Sequence, residues 1–359
     1  MQSKTMIALG SLLLATSALG QENVVNVYNW SDYIAEDTVA KFEAETGIKV
    51  NYDVYDNNEI VDAKLLAGNS GYDIIVPSGN FLERQIQAGL ILPLDKSKLT
   101  NLGNLDPSVM ATAAGQDPDN AHGVPYMINT IGYGYNVAKV TAALGADAPT
   151  DSWDLIFKPE YAEKLASCGI SLLDSPSEVT GIALHYLGLD PNSESAGDLA
   201  KAEELLNTIK PFIRYFHSSQ YIDDLGNGET CVALGYSGDI FIASDNAAEG
   251  VEVQYVIPKE GAATLSDFLA IPADAPHAEN AHKFIDYILK PEVVAAITNY
   301  VFYANPNLPA LEFVDEEVKS NPGIYPPAET IAKAFVMKAH SPDFEEVLTR
   351  TWTRIKTGQ

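Results

Sequence analysis

The sequence VVNVYNWSDY at residues 24–33 joins a run of β-branched residues to a loop rich in aromatic and acidic side chains. Its first five residues predict a β-strand. A helix is predicted next, with Ala35, Val39 and Phe42 on one face and Gly47 at the position of a C-terminal cap. This strand, loop and helix begin the pattern that decides the fold.

The alternation of strand and helix then continues. Ile48 to Val54 predicts a second strand, Glu59 to Ala67 a helix, and Asp73 to Val76 a third strand that leads into the loop at residues 77–80. A βαβαβ order favours a mostly parallel sheet covered by helices, so the predicted fold class is α/β. Such sheets bind ligands beyond the carboxyl ends of their strands, where this loop lies.

The rest of the 359-residue chain extends the pattern without an internal repeat or a long linker. Residues 127–249 read as a second unit of mixed strands and helices, and residues 251–272 return to strand character. Helices are predicted at residues 279–289, 291–300 and 344–355. A chain of this length is expected to form two domains rather than one core.

Residues 1–20 have the parts of a secretory signal peptide. Lys4 gives a positive start, residues 6–14 are apolar, and ALG at residues 18–20 supplies the small-x-small pattern before a cleavage site. The apolar run is too short to span a bilayer, which takes about 20 apolar residues. We therefore expect an exported, soluble protein that starts near Gln21.

The composition is strongly acidic. The chain has 49 Asp and Glu residues against 22 Lys and Arg residues, and its formal net charge is -27. Such a surface repels nucleic acid and anionic membranes and attracts cations over long range. We expect no nucleic-acid partner. Because a high net charge also keeps proteins soluble, the acid count alone does not define a site.

The chain has two cysteines, Cys168 and Cys231. In an exported chain, an even pair is more often a disulfide than a redox or metal site. Neither cysteine has a CxxC partner or a nearby histidine, so a zinc site is not expected. Closing the loop between them would stabilise the fold by about 4 kcal/mol in the chain-entropy model.

Aromatic and acidic residues occur together at the predicted strand ends. Trp30 precedes Asp32, Tyr236 precedes Asp239, and Asp267 lies in a short apolar stretch. A buried carboxylate needs a positive partner or several hydrogen bonds, and no Lys or Arg is close in sequence. A ligand could supply the positive charge. The alternatives are that a distant Lys or Arg folds in, or that Asp32 and Asp239 cap the helices that follow them.

Six segments share their sequence and spacing with one family of proteins. They are YNWSDYI (28–34), VPS (76–78), DSWD (151–154), YFHSSQY (215–221), VFYAN (301–305) and NPGIYPP (321–327). They resemble the bacterial periplasmic polyamine-binding proteins of ABC importers, above all those for putrescine. The resemblance runs from about residue 25 to the C-terminus.

The resemblance implies a two-lobed periplasmic binding protein fold of type II, with the ligand cleft between two α/β lobes. Lobe one would comprise residues 22–126 and 250–300, and lobe two residues 127–249 and 301–359. It also implies that the two cysteines form a disulfide. The mature chain would be a periplasmic monomer without enzymatic activity, metal or cofactor. It would deliver its ligand to the permease of an ABC transporter in the inner membrane.

The ligand-contacting positions of the family have counterparts here. They are Trp30, Ser31, Asp32, Tyr33, Ser78, Glu178, Tyr236, Asp239, Leu265, Asp267 and Tyr303. The resemblance implies that Trp30 and Tyr236 flank a methylene chain and that Asp239 and Asp267 clamp its ammonium ends. Asp32 and Glu178 would add negative field, and the hydroxyl groups would complete the hydrogen bonds.

Two positions depart from the putrescine-binding pattern. Tyr236 stands where that pattern has Trp, and Leu265 stands where it has Phe. Both changes make the wall smaller, so the pocket would admit a longer amine or hold putrescine less tightly. Putrescine is expected as the first ligand and spermidine as the second. The alternatives are another cationic small molecule of similar fit or a role as a polyamine sensor.

Enzymatic and metal-binding functions have weaker support. GYSG at residues 235–238 is not the GxSxG motif of a hydrolase, because the second glycine comes one residue early. The six histidines form neither HExxH nor a paired-ligand spacing. Residues 117–123 start like an EF-hand loop but carry His122 where the glycine should be.

Overall fold

The computed structural model describes residues 23–358, so the predicted signal peptide lies outside the described residues. Strands and helices alternate along this range. The strands are β1 (Val24–Trp30), β2 (Lys49–Tyr55), β3 (Ile74–Ile75), β4 (Gly123–Asn136), β5 (Ile170–Leu172), β6 (Ile213–Phe216), β7 (Val232–Tyr236), β8 (Val253–Val256), β9 (Ala263–Ala270) and β10 (Phe335–Val336). The α-helices are α1 (Thr38–Thr46), α2 (Asn58–Ala67), α3 (Gly79–Gln87), α4 (Pro107–Ala113), α5 (Val137–Leu144), α6 (Asp154–Phe157), α7 (Pro159–Leu165), α8 (Pro176–Tyr186), α9 (Ala196–Ile209), α10 (Tyr221–Gly226), α11 (Ser237–Asp245), α12 (Ala278–Ile288), α13 (Pro291–Val301), α14 (Glu316–Lys319), α15 (Ala328–Ile331) and α16 (Pro342–Thr357).

The predicted βαβαβ unit at the start of the chain is confirmed. Strand β1 pairs in parallel with both β2 and β3. Helix α1 ends at Gly47, whose left-handed φ of 70° suits a residue without a Cβ atom. The prediction that Ala35 belongs to this helix is wrong. Ala35 lies in a preceding turn, where its carbonyl accepts a hydrogen bond from the Thr38 backbone N–H at 3.0 Å.

The later elements also fall where the sequence patterns predict them. Strands β8 and β9 occupy the stretch at residues 251–272. Helices α12, α13 and α16 begin and end within two residues of their predicted bounds. Differences of this size are usual at helix ends. The α/β alternation therefore extends across the whole described chain.

The sheet order is β2-β1-β3-β9-β4-β7-β5-β6, with β8 paired to β4 and β10 paired to β9. The outer pairs β1–β2, β1–β3, β5–β6 and β5–β7 are parallel. The central pairs that β4 makes with β7, β8 and β9 are antiparallel. The expectation of a mostly parallel sheet thus holds for the outer strands, whereas the centre, where β4 pairs with β7, β8 and β9, is antiparallel.

Strand β4 joins two groups of strands. Residues 123–131 of β4 pair with β9, and residues 131–136 pair with β7 and β8. We call β1, β2, β3, β9 and β10 the first half-sheet, and β5, β6, β7 and β8 the second half-sheet. The carboxyl ends of β1, β2 and β3 belong to the first half-sheet. Those of β6 and β7 belong to the second half-sheet.

The two cysteines form a disulfide bond. Cys168 follows α7, Cys231 precedes β7, and their Cα atoms lie 5.4 Å apart. The bond therefore ties a helix end to the start of a buried strand of the second half-sheet. Within residues 23–358, no helix has the length and apolar character needed to cross a membrane.

Candidate functional site

A narrow cavity lies between the half-sheets, at the carboxyl ends of their strands. Its empty space is about 410 Å³ with the mouth included. The loop at residues 77–80, which the sequence places beyond the carboxyl end of a strand, contributes Ser78 to the lining. Nine of the predicted site residues line the cavity: Trp30, Ser31, Tyr33, Ser78, Tyr236, Asp239, Leu265, Asp267 and Tyr303.

Asp239 lines the cavity from the first turn of α11 and is 7% exposed. Its Oδ1 accepts a hydrogen bond from the Tyr303 hydroxyl and its Oδ2 from the Tyr221 hydroxyl, both at 2.6 Å. The Tyr303 hydroxyl also accepts the Asp239 backbone N–H, and the Tyr221 hydroxyl accepts the Tyr236 backbone N–H. Both hydroxyl protons are thus directed at the carboxylate, which is held by neutral donors.

Two glycines allow these tyrosines to approach Asp239. A Cβ atom on Gly235 would lie 2.5 Å from the Tyr221 ring, and one on Gly238 would lie 2.3 Å from the Tyr303 ring. Such distances are far inside van der Waals contact, so a side chain at either position would displace a ring. The GYSG segment therefore serves packing around Asp239.

Asp267 belongs to β9, is 3% exposed and also has only neutral donors in the structure. Its Oδ1 accepts a hydrogen bond from Ser78 Oγ at 2.6 Å. Its Oδ2 accepts one from the Tyr33 hydroxyl at 2.6 Å and one from Asn129 Nδ2 at 3.0 Å. Hydrogen bonds of this kind satisfy a buried carboxylate without neutralising its charge.

The wall of the cavity is aromatic and aliphatic. The rings of Trp30 and Tyr236 lie with their centroids 6.0 Å apart at 64°. Trp30 Nε1 donates to the Val76 carbonyl, and the Tyr236 hydroxyl donates to Glu178 Oε2, both at 2.7 Å. Their polar atoms are therefore bonded away from the cavity, and Leu265 adds an apolar patch.

Burial dominates the electrostatics of the two carboxylates. It raises the pKa of Asp239 to about 7, with added repulsion from Asp32 and Asp56, and it raises the pKa of Asp267 to about 6. No lining residue is Lys or Arg. Among residues 23–358, no group of three or more His, Cys, Asp or Glu side chains is placed to hold a metal ion. An organic cation with an apolar middle fits this arrangement.

Asp32 lies outside the cavity. It is exposed, has a left-handed φ of 53°, and borders an adjoining surface depression together with Ser31 and Asp223. Partial loss of solvent around its carboxyl group, followed by repulsion from Asp223, raises the pKa of Asp32. The helix-cap alternative for Asp32 is wrong, because Asp37 holds the N-cap position of α1.

Glu178 also lies outside the lining, behind Tyr236, and is 2% exposed. Its contact with the cavity wall is the hydrogen bond that it accepts from the Tyr236 hydroxyl. The helix-cap alternative for Asp239 is wrong as well, because Tyr236 holds the N-cap position of α11 and Asp239 bonds the two tyrosines instead.

Sequence reasoning missed several residues of the wall: Tyr55, Asp56, Asn129, Ser218, Ser219 and Ile222. Tyr55 and Asp56 stand at the carboxyl end of β2, so the strand-end argument could have found them. Ser218 and Ser219 lie inside the matched segment at residues 215–221. Asn129 lies in the middle of β4, and no local signal marks it.

Residues 37–326 match the family described as bacterial extracellular solute-binding protein. The match covers most of the chain. The chain belongs to this family.

Relatives within the family are similar over nearly their full lengths. The chain is 54% identical over 356 residues to the putrescine-binding periplasmic protein PotF of Escherichia coli, covering 98% of this chain and 96% of that one. It is 51% identical to the putrescine-binding periplasmic protein SpuD of Pseudomonas aeruginosa, covering 99% and 98%. A solved structure, a putative spermidine/putrescine ABC transporter from Listeria monocytogenes, superposes with a TM-score of 0.85 at 32% identity, covering 94% and 100%.

Membership of a solute-binding family confirms the predicted two-lobed α/β fold and the prediction of a binding protein without enzymatic activity. The resemblance drawn from the six sequence segments is confirmed by the same relatives.

Glu59 and Glu178 are a second pair of carboxyl groups in this solute-binding protein, and they repel each other. Glu59 belongs to α2, and Glu178 belongs to α8. Ser175 Oγ lies 3.4 Å from Glu59 Oε1, whereas Glu59 Oε2 is fully enclosed and has no partner within the described protein. Burial, followed by repulsion from Glu178, raises the pKa of Glu59 to about 8, and burial raises that of Glu178 to about 7.

We predict that Glu59→Gln removes a pH-dependent loss of stability. An unfolded chain loses the Glu59 proton near pH 4.5, whereas the folded chain keeps it up to about pH 8. The stability that Glu59 contributes therefore falls as the pH rises from 4.5 through 8. Thermal unfolding should give equal melting temperatures for both proteins at pH 4 and a higher one for Glu59→Gln at pH 9.

The matched control is Glu249→Gln, which changes an exposed glutamate. It should track the wild type at every pH. A Glu59→Gln protein whose melting temperature runs parallel to the wild type from pH 4 to pH 9 would contradict a neutral, partly buried Glu59.

Proposed function

We propose that this protein captures a polyamine in the cavity, putrescine first and spermidine second, and delivers it to the permease of an ABC importer. One observation carries the proposal. Two buried carboxylates, Asp239 and Asp267, line one aromatic cavity that has no lining Lys or Arg. The putrescine-binding relatives support the same ligand class.

A diamine satisfies each part of this cavity. Its ammonium groups form charge-assisted hydrogen bonds with Asp239 and Asp267, which are stronger than neutral ones. Its methylene chain lies between Trp30 and Tyr236, where each buried CH₂ contributes about 0.8 kcal/mol. Aromatic faces near the cationic ends add about 0.5 to 2 kcal/mol each.

The lobes of the proposed transport cycle are residues 22–126 with 250–300, and residues 127–249 with 301–359. Asp267 then belongs to lobe one and Asp239 to lobe two, so one ligand bridges both. The Arg84–Glu345 ion pair, 2.7 Å between Nη1 and Oε1, also joins these lobes. A ligand that contacts both lobes favours the closed form by its differential affinity for that form.

The proposed setting is the periplasm. A cleaved signal peptide at residues 1–20 would export the chain, and the mature protein would act as a monomer without a cofactor. The relatives that carry the word periplasmic in their names support this location. A sensor role would use the same capture and closure, and nothing in the described residues favours it over transport.

The ranking of the amines depends on Tyr236 and Leu265. Both side chains are smaller than the Trp and Phe of the putrescine-binding pattern, and both are buried in the wall. They leave room for a longer chain and reduce the aromatic surface beside it. Spermidine is therefore the second ligand that we propose for the same cavity.

We predict that ligand-free protein binds putrescine tightly and with one-to-one stoichiometry in calorimetric titration. Cadaverine, spermidine, spermine and agmatine complete the panel, and glucose and an amino acid are the controls. Asp239→Asn should weaken putrescine binding at least about 100-fold, because it removes one partner of a buried ion pair.

Asp147→Asn is the control substitution, since Asp147 is exposed and far in sequence from the lining residues. It should change the affinity by less than about twofold. No heat from any amine would contradict the proposed function, and equal losses from Asp239→Asn and Asp147→Asn would contradict the proposed site.

We predict that amine affinity falls as the pH falls below 7. Binding requires ionised carboxylates, and their pKa values in the ligand-free protein are about 7 for Asp239 and about 6 for Asp267. Each group that must first lose a proton weakens binding about tenfold per pH unit below its pKa. Titrations at pH 8 and pH 5 should differ by about 100-fold or more, and a flat profile would contradict ionised clamps.

A further inference from the structure

The side-chain amide of Asn129 has a hydrogen-bonded nitrogen and an oxygen without a partner among the described residues. It belongs to β4, lines the cavity and is 6% exposed. Its Nδ2 donates a hydrogen bond to Asp267 Oδ2 at 3.0 Å. Its Oδ1 is fully enclosed and has no hydrogen-bond partner within the described protein. A native protein rarely encloses such an acceptor unless something else supplies the donor.

The orientation of the Asn129 amide is set by its neighbours. A carboxylate oxygen only accepts, so the amide nitrogen must face Asp267, and the reversed amide would place two acceptors together. Asp267 itself is held by Ser78 and Tyr33. Ser78 Oγ in turn accepts a hydrogen bond from Asn58 Nδ2 at 3.1 Å, which directs the Ser78 proton at Asp267.

The backbone of Asn129 is also fixed. Asn129 pairs with Leu265 in the β4–β9 ladder, and its carbonyl accepts a hydrogen bond from Thr264 Oγ1 at 3.2 Å. In this position Oδ1 has no donor among the described residues. The remaining source of a donor is the occupant of the cavity.

We propose that Asn129 Oδ1 accepts one N–H of the ammonium group that Asp267 binds, and that this neutral acceptor selects an unsubstituted end of the amine there. The inference rests on the proposed function, since it assumes an amine in the cavity. A primary ammonium has three N–H donors and serves Asp267 and Asn129 together. A tertiary ammonium keeps its charge but has one N–H, so it serves Asp267 alone.

The surroundings of Asp239 and Asp267 differ in this respect. Asp239 is bonded by two tyrosine hydroxyls, and no lining residue beside it has an enclosed oxygen without a partner among the described residues. The adjoining depression shares Ser31, Ser219 and Ile222 with the cavity and borders α11, which carries Asp239. An asymmetric amine therefore binds with its primary end at Asp267 and its substituted or longer end at Asp239.

The first test uses the wild-type protein and three ligands in calorimetric titration at pH 8.5. They are putrescine, N,N-dimethylputrescine with one primary end, and N,N,N′,N′-tetramethylputrescine with none. The one-sided ligand should bind within about fivefold of putrescine, and the two-sided ligand at least about tenfold more weakly. Equal losses from one-sided and two-sided methylation would overturn the assigned orientation.

The second test separates the hydrogen bond from steric exclusion. Asn129→Leu keeps the bulk of the side chain but removes the acceptor, so any clash with methyl groups persists. The ratio of tetramethylputrescine to putrescine dissociation constants should fall at least about tenfold in this variant. Circular dichroism checks its fold, and the wild-type ligand series decides the matter if the variant does not fold.

Ser78→Ala is the matched control, because it removes a donor to Asp267 and leaves the Asn129 acceptor in place. It should weaken both ligands alike and leave the ratio at the wild-type value. A wild-type ratio in Asn129→Leu, with putrescine still bound, would overturn this inference alone. Absence of putrescine binding by the wild type would overturn the proposed function with it.

Discussion

The burial of two carboxylates without a Lys or Arg among the described cavity-lining residues is the constraint on which the rest of this structure depends. A buried ionised group is stable only when it is hydrogen-bonded and paired. Here the protein supplies hydrogen-bond donors to each carboxylate, but no lining Lys or Arg pairs with its charge. Burial raises the pKa values of Asp239 and Asp267, and we propose that a bound cation supplies the missing positive charge.

The local sequence is shaped by the need to satisfy these groups. Gly235 and Gly238 lack side chains at the points where Tyr221 and Tyr303 must reach Asp239. Each tyrosine hydroxyl accepts a hydrogen bond from a backbone N–H, so its own proton is directed at Asp239. The fold contributes the distances, since strands from both half-sheets end at the cavity and bring together residues from remote parts of the chain.

The periodicity of the sequence is sufficient to predict the βαβαβ start and the later helices. It could not predict the antiparallel centre, because nothing local states how β4 pairs. Most of the wall was predicted by family resemblance, yet Asp32 lies outside the cavity because its turn directs it to the surface. Glu59 and Asn129 were missed since their significance comes from partners distant in sequence, Glu178 and Asp267.

The most direct test of the proposed cation site is a crystal structure of the protein crystallised with putrescine. We expect one ammonium nitrogen about 2.8 Å from a carboxylate oxygen of Asp239, the other at a similar distance from Asp267, and the methylene chain between Trp30 and Tyr236. An amine bound elsewhere, or a Lys or Arg side chain of the protein folded between the two carboxylates, would contradict it.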